Sequence, residues 1–433
     1  MTRRSLGDWL AYLEQLHPTA IDMGLERARE VAVRLGLGRP ARRIVTVTGT
    51  NGKGSTCAFI ASLLRGQGLK VGVYSSPHLL RYNERVQIDG EQASDEALCA
   101  AFAAVEAARG DVSLTYFEMG TLAAFWLFQR AGLDAAVLEV GLGGRLDAVN
   151  LVDADVSVVT NIGLDHSEWL GDSRDSVATE KAGVFRSGKP ALCGDLHPPA
   201  SLLDCAASLP APLYLRGRDF DLALDAHGWH WRGVSSAGEP LELHDLPLLS
   251  LPVENAALAI QAFVMLEPGW QPKRVADALL QTRVTGRLDR RTLRSKGQNV
   301  PLLLDVGHNP HAASYLAESL AARPPTGRRL AVFGLLADKD LDGILDVLLP
   351  RVDEWAVAPL ATPRSAPAGD LEEALLRRGA SVSIHAGVAQ ALEAQLAQAE
   401  EGDEILLFGS FYCVAEALEW LNRYAGESEH GDG

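Results

Sequence analysis

The amino-acid sequence predicts an α/β protein of two domains, the first built on a mainly parallel sheet with a small antiparallel β element. Three observations carry this. The chain has 433 residues, roughly two to three times the size of one domain. From Ile44 to Val159 short β-branched runs alternate with helical patterns, the signature of a parallel sheet covered on both faces. After the polar stretch RTLRSKGQNVP the same alternation starts again at PLLLDVG.

Taken in order, Leu6, Trp9, Leu10, Leu13 and Leu16 form one stripe, an amphipathic helix and not a signal peptide. RIVTVTG reads as a strand and is followed by a helix from about Ser55. KVGVYSS, DAAVLEV and DVSVVTN are further strands, with helices over Ala97–Ala108 and Thr121–Gln129 between them. Residues 211–250 carry alternating runs between Gly, Pro and Asp, which predicts the antiparallel element. Helices over Glu254–Met265 and Val275–Leu280 complete domain 1–288. Residues 289–300 read as a linker, since they are polar and contain Gly and Pro. Domain 301–433 follows, with strands PLLLDVG, RLAVFGLL, EWAVAPL, SVSIHAG and DEILLFGS, helices over Ala312–Ala322 and Leu341–Leu349, and a last helix to about Tyr424. The tail GESEHGDG reads as disordered.

With 56 Asp plus Glu against 40 Lys plus Arg, the formal charge of −16 repels a phosphate backbone, so no nucleic acid is expected as partner. No apolar run reaches the roughly 20 residues that cross a bilayer. Five scattered cysteines without a C-x-x-C pair point to reduced, structural thiols in the cytoplasm.

Within RIVTVTGTNGKGSTCAFIASLLRGQG, strand, Gly-rich loop and helix follow one another, with Gly49, Gly52 and Gly54 around Lys53. Glycines let successive N–H groups turn toward phosphate oxygens, the helix N-terminus adds its positive end, and the lysine reaches the terminal phosphates. A nucleoside triphosphate is the ligand this predicts, in a P-loop ATPase domain. The loop departs from G-x-x-x-x-G-K-[ST], because Gly54 stands where a hydroxyl normally holds magnesium. Oxygen donors must come from elsewhere. Ser75 and Ser76 end VGVYSS, Glu139 ends AAVLEV, and Asp165 with His166 follows VVTNIGL. Strand ends of a parallel sheet share one edge, and magnesium prefers such oxygen ligands, with His less usual. Each also has a plain reading: Ser76 as a turn former, Glu139 as a cap on the following glycines, His166 as a partner of Asp165.

In this order, TGTNGKGS, YSSPHLLRYNERV, LTYFEMGTLAAFWLF, LEVGLGGRLDAVN, NIGLDHSEWLG, EKAGVFR, DVGHNPHA and FGSFYCVAE make the chain resemble the bifunctional dihydrofolate synthase/folylpolyglutamate synthase family of the Mur ligase superfamily, from about residue 6 to about residue 424. The resemblance implies a Rossmann-like C-terminal domain and a site between the domains. It also implies an ATP-dependent ligase that joins L-glutamate to dihydropteroate and to reduced folates. By the same resemblance Gly52, Lys53, Gly54 and Ser55 hold ATP phosphates, and Asn255, Arg287 and Asp305 contact the nucleotide. Ser76 and Glu139 hold one Mg2+ and His166 a second. The family carries a carbamylated lysine at Lys181. Read from the residues alone, Lys181 is an exposed helix lysine paired with Glu180 or a neighbour. Asp22, Met23, Gly24, Leu25, Thr115, Tyr116, Phe117, Glu118, Leu146, Asp147 and Ala148 form the implied pterin site, where Phe117 stacks on the ring and Asp22 or Asp147 accepts its N–H groups. His308 and Ser410 bind glutamate, His308 with a part in catalysis, and the expected state is a monomer. Phe125, Trp126 and Phe128 read as core.

A carboxylate oxygen must become a leaving group before an amine displaces it, so an acyl phosphate is the expected intermediate, shielded from water by domain closure. Three other readings share parts of this pattern. A ligase restricted to lengthening glutamate tails lacks the pterin stretches. A cell-wall Mur ligase needs a nucleotide-recognition domain ahead of the loop, where only about 43 residues stand. An ATP-driven switch leaves DVGHNPHA without a purpose.

Overall fold

The computed structural model describes residues 4–225, 227–266 and 269–430. It divides into two compact units after Arg283. In the first, β1 (Ala41–Thr48), β2 (Val71–Tyr74), β3 (Val86–Ile88), β4 (Glu91–Gln92), β5 (Leu133–Glu139), β6 (Val156–Val159), β7 (Ala191–Cys193) and β8 (Leu213–Leu215) form one sheet in the order β4-β3-β2-β5-β1-β6-β7-β8. From β2 to β8 every pair is parallel. The two strands at the β4 edge are antiparallel. Ile44, Val45 and Val47 on β1 are fully buried, as expected for a central strand covered on both faces.

The helix Tyr116–Ala131 starts from a reciprocal capping box between Thr115 and Glu118 and stops at Gly132, whose φ of 63° is left-handed. In the helix Val253–Leu266 every residue from Ala256 to Leu266 is buried, the pattern of a helix enclosed on all sides. It packs on the helix Lys53–Gly66 that follows the Gly-rich loop. The first helix, Leu6–Leu13, buries Leu6, Trp9 and Leu13.

A separate antiparallel sheet, order β11-β10-β9, consists of β9 (Asp221–Leu224), β10 (Trp229–Val234) and β11 (Pro240–Leu246). Trp231 donates its indole N–H to the Ala257 carbonyl at 3.1 Å, and the Gln261 amide bonds both the N–H and the C=O of Val234. These bonds fix the small sheet to the buried helix. The antiparallel element is therefore shorter than the expected 211–250, because Leu213–Leu215 pairs parallel with β7 and closes the large sheet.

The second unit holds β12 (Asp289–Ser295), β13 (Gln298–Asp305), β14 (Arg329–Phe333), β15 (Glu354–Val357), β16 (Ser381–Ile384) and β17 (Glu404–Phe408), ordered β12-β13-β17-β14-β15-β16. All pairs except β12–β13 are parallel. The expected linker 289–300 is not one: it is the β12–β13 hairpin, turned at Lys296 and Gly297, whose φ values are 50° and 77°. The misreading has a physical cause. β12 is an edge strand in which only Leu293 is buried, and arginines on an edge strand discourage further pairing while making it look like linker. The last helix also runs on to His430 instead of ending near Tyr424. Part of the tail expected to be disordered is thus helical, and residues 431–433 lie outside the described residues. Among the described residues no helix is long and apolar enough to cross a membrane, and all five cysteines are free thiols.

Candidate active site

The strands β2, β5, β1 and β6 are neighbours, so the loops leaving their carboxyl ends share one edge of the sheet. Two glycines are dictated there by crowding. A Cβ on Gly49 (φ +148°) would lie 1.7 Å from the Thr160 hydroxyl, and one on Gly52 (φ +82°) would lie 2.7 Å from Asn255 Oδ1. The loop is braced from β6: Asn51 N–H donates to Asn161 Oδ1 at 3.0 Å, while Thr160 Oγ1 and Asn161 Nδ2 donate back to the Asn51 carbonyl. Lys53 folds over the loop, its ammonium donating to the carbonyls of Gly49 and Thr50 at 3.0 and 3.1 Å. Ser55 is buried behind it.

Glu139 reaches the same place. A Cβ on Gly54 would stand 3.8 Å from both its carboxylate oxygens, ordinary contact distance, which places this acid beside the helix start. Glu139 Oε2 accepts the Ser76 N–H at 3.2 Å, which ties the end of β5 to the segment after β2. His166 occupies a left-handed conformation (φ 52°, ψ 43°) ahead of the short helix Ser167–Leu170. Its ring is half-exposed, and Nε2 lies 4.0 Å from Asp165 Oδ2, too far for a hydrogen bond.

The plain reading of Lys181 is overturned. On the helix Arg174–Ala182 it is only 2 % exposed, and Glu180 pairs with Arg145 at 2.8 Å instead. Burial, reinforced by the charge of Lys53 and opposed by Asp165, pulls its ammonium down to about 7. A substantial share of it is then neutral amine near neutral pH. Among the described residues no group of three or more His, Cys, Asp or Glu could hold a metal ion. The donors present, a serine, a carboxylate, a histidine and a carbamylatable lysine, suit a hard cation that shares its shell with phosphate and water.

Residues from three distant stretches meet at the pterin segments. The Arg27 guanidinium donates to Asp22 Oδ2 at 2.6 Å and to Glu118 Oε1 at 3.1 Å, and His17 bridges Asp22 to the Ser113 hydroxyl. Met23 Cε reaches within 3.6 Å of where a Cβ on Gly143 would be. Phe117 lies against Gly141, with Asp147 Oδ2 beside it. Asp147 accepts the N–H groups of Leu142 and Val149, each at 2.9 Å. Burial outweighs these bonds and raises its carboxyl to about 6. Leu146 and Ala148 flank it, half-buried and buried, and Gly24 and Leu25 lead into the helix Glu26–Arg34. Thr115 and Glu118 spend their side chains on the capping box, which leaves Tyr116 and Phe117 as the stretch's open chemistry. Phe125 and Phe128 are core, and Trp126, partly buried against the same core, also lies under Arg130 at 3.6 Å. Sequence reasoning missed Arg27, His17 and Ser113 as the braces of Asp22, and Thr160 and Asn161 as the braces of the loop. Asn161 stands in NIGLDH, so a search for polar side chains beside the loop could have found it.

Next to Ser76, Arg85 Nε donates to His78 Nδ1 at 2.8 Å. Burial, with the nearby Arg85 charge, holds the His78 imidazole down to about 4, so it is a neutral acceptor there.

In the second unit, Asp305 at the end of β13 accepts the N–H groups of Leu288 and Gly307 at 2.9 and 2.7 Å. Burial raises its carboxyl and Arg287 opposes the rise. Arg287 and His308 flank Phe411, at 5.2 and 6.1 Å from its ring. His308 Nδ1 lies 2.9 Å from the Val306 carbonyl; a carbonyl only accepts, so in the neutral ring Nδ1 carries the proton. Ser410 is buried and its hydroxyl accepts the Cys413 N–H at 2.9 Å.

Residues 47–191 match the Mur ligase middle domain and residues 286–411 the Mur ligase glutamate ligase domain. The chain is 47 % identical to the dihydrofolate synthase/folylpolyglutamate synthase of Escherichia coli K12, over 96 % of each chain. An Escherichia coli FolC structure in complex with DHPP and ADP is similar at 46 % identity and a TM-score of 0.90, covering 97 % of this chain and 98 % of that one. A Yersinia pestis bifunctional folylpolyglutamate synthase/dihydrofolate synthase complexed with AMPPNP and Mn ion has 46 % identity and a TM-score of 0.89, with the same coverage.

Proposed function

The chain belongs to the dihydrofolate synthase/folylpolyglutamate synthase family of Mur ligases, ATP-dependent enzymes that join glutamate to dihydropteroate and to folates with a divalent metal, and on that premise we propose how its residues share the work. The observation that carries the reading is the meeting, at one edge of the first sheet, of the Lys53 loop, the Glu139–Ser76 pair and the buried Lys181. Gly52, Lys53, Gly54 and Ser55 receive the phosphates. Asn255, Arg287 and Asp305 serve the nucleotide, and His308 and Ser410 serve glutamate.

Ser76 and Glu139 would hold one Mg2+, and His166 with carbamylated Lys181 a second; a divalent metal bound there would supply positive charge against the phosphates. The acceptor carboxylate attacks the γ-phosphoryl, with Lys53 opposing the charge that builds on the leaving side. An acyl phosphate results, and the amine of glutamate attacks its carbonyl and expels phosphate. Phe117 and Asp147 orient the pterin of dihydropteroate. Reduced folates are the second class of acceptor, and the enzyme works as a cytoplasmic monomer.

ADP release measured with dihydropteroate plus glutamate, each also left out in turn, is the direct test. Release is expected only when both are present. Release indifferent to both would leave an ATP-driven switch as the better reading.

Asp147 makes a separate prediction. Its carboxylate accepts a pterin N–H more strongly when ionised than when protonated, and burial places its titration at about 6, above the usual range. The dihydropteroate reaction should therefore lose kcat/KM as pH falls through about 6. Asp147→Ala should lower kcat/KM for dihydropteroate by about 10- to 100-fold at neutral pH and abolish that acid limb. An unaltered pH profile in the variant would remove Asp147 from the acceptor site.

A further inference from the structure

Arg85 has no part in any assignment made so far, yet its side chain is held like a ready anion receptor. It closes the turn Tyr82–Arg85, and its carbonyl accepts the Ser75 N–H at 3.0 Å, which sets it beside the Ser76 segment. Its guanidinium carbon lies 5.4 Å from the centre of the Tyr82 ring and 5.5 Å from that of Tyr116, one residue from Phe117. With Nε committed to His78, two aromatic faces and one hydrogen bond restrict its rotamers. Among the described residues no carboxylate or other hydrogen-bond acceptor meets its two terminal nitrogens. Other arginines of this unit behave differently: Arg81 closes on Asp95 and Arg109 on Glu106. A half-buried guanidinium without a counter-charge leaves two parallel donors suited to a carboxylate.

The two classes of acceptor differ in the number of such groups. Dihydropteroate carries one carboxylate, and that one reacts. A folate acceptor ends in a glutamate residue with two carboxylates, of which one reacts in a given turnover and the other stays an anion. We propose that Arg85 binds this non-reacting carboxylate and is a specificity-determining residue for glutamate-chain extension over dihydrofolate formation. The proposal rests on the reading that reduced folates are acceptors.

The test compares wild type, Arg85→Gln and Arg85→Lys in KM and kcat for dihydropteroate and for tetrahydrofolate, and adds a tetrahydrofolate analogue whose non-reacting carboxylate is an amide. In Arg85→Gln the ratio of the tetrahydrofolate KM to the dihydropteroate KM should rise about 10- to 100-fold, with kcat changed less, and Arg85→Lys should recover part of it. Wild type should suffer a similar loss on the amide, and Arg85→Gln no further loss, because residue and carboxylate act as one pair. Equal effects on both acceptors, no effect on either, or additive losses on the amide would each overturn the proposal. Wild-type protein that makes dihydrofolate but extends no folate would overturn the underlying reading, and the proposal with it.

Discussion

Lys53→Ala is expected to lower ATP-dependent ligation by at least about 10³-fold while shifting stability by no more than about 1 kcal/mol. The lysine is half-buried, and its ammonium donates to two carbonyls of its own loop, which regain water when the side chain is gone. What would be lost, on the proposed assignment, is the positive charge facing the terminal phosphates. A second effect runs the same way: the Lys53 charge helps to depress Lys181, so its removal makes Lys181 more basic and leaves less neutral amine. Single-turnover ADP formation and thermal unfolding measured on one preparation separate the two outcomes. Near-normal turnover in a folded variant would mean that the loop does not carry the nucleotide.

Lys181→Ala should cost about 10²- to 10³-fold in turnover, the usual scale for loss of one preorganised charged group. The argument is chemical. An ammonium cannot capture carbon dioxide, whereas a neutral amine can, and burial brings Lys181 down to about 7. A carbamate would then supply an anionic oxygen where the bare lysine would place a buried cation next to another, Lys53. Short carboxylic acids should restore part of the activity of the alanine variant by filling the vacated space with an anion. Arg should not substitute, since its guanidinium stays protonated. Mass analysis and a spectroscopic search for the carbamate with labelled bicarbonate near neutral pH check the modification itself. An unmodified lysine together with a fully active alanine variant would leave Ser76, Glu139 and His166 as the only metal-ligand candidates.

Local signals in the chain carried the large elements. Strand, Gly-rich loop and helix around Lys53 stand where expected, since β-branched runs and helical periodicity act over a few residues. The hairpin at 289–300 was illegible for the converse reason: an Arg-rich edge strand is stabilised by its partner β13, and its own pattern leaves only Leu293 fully buried. Likewise Leu213–Leu215 took its direction from β7, a choice no local run encodes.

At the site, sequence determined which chemistry is present: glycines where a phosphate must approach, a lysine beside them, carboxylate and hydroxyl at strand ends, and an aromatic near an aspartate. Tertiary structure alone decided what those groups are able to do. Glu180 could have paired with Lys181 by proximity in the chain; packing gave it to Arg145 and left Lys181 buried beside another cation. Asp22 and Glu118, distant in sequence, became partners through Arg27, and Arg85 was left without a carboxylate while Arg81 and Arg109 found theirs. The reason is common to all three cases. Ionisation and hydrogen bonding depend on burial and on charges within a few ångströms, and these are properties of the folded arrangement that residue order along the chain does not specify.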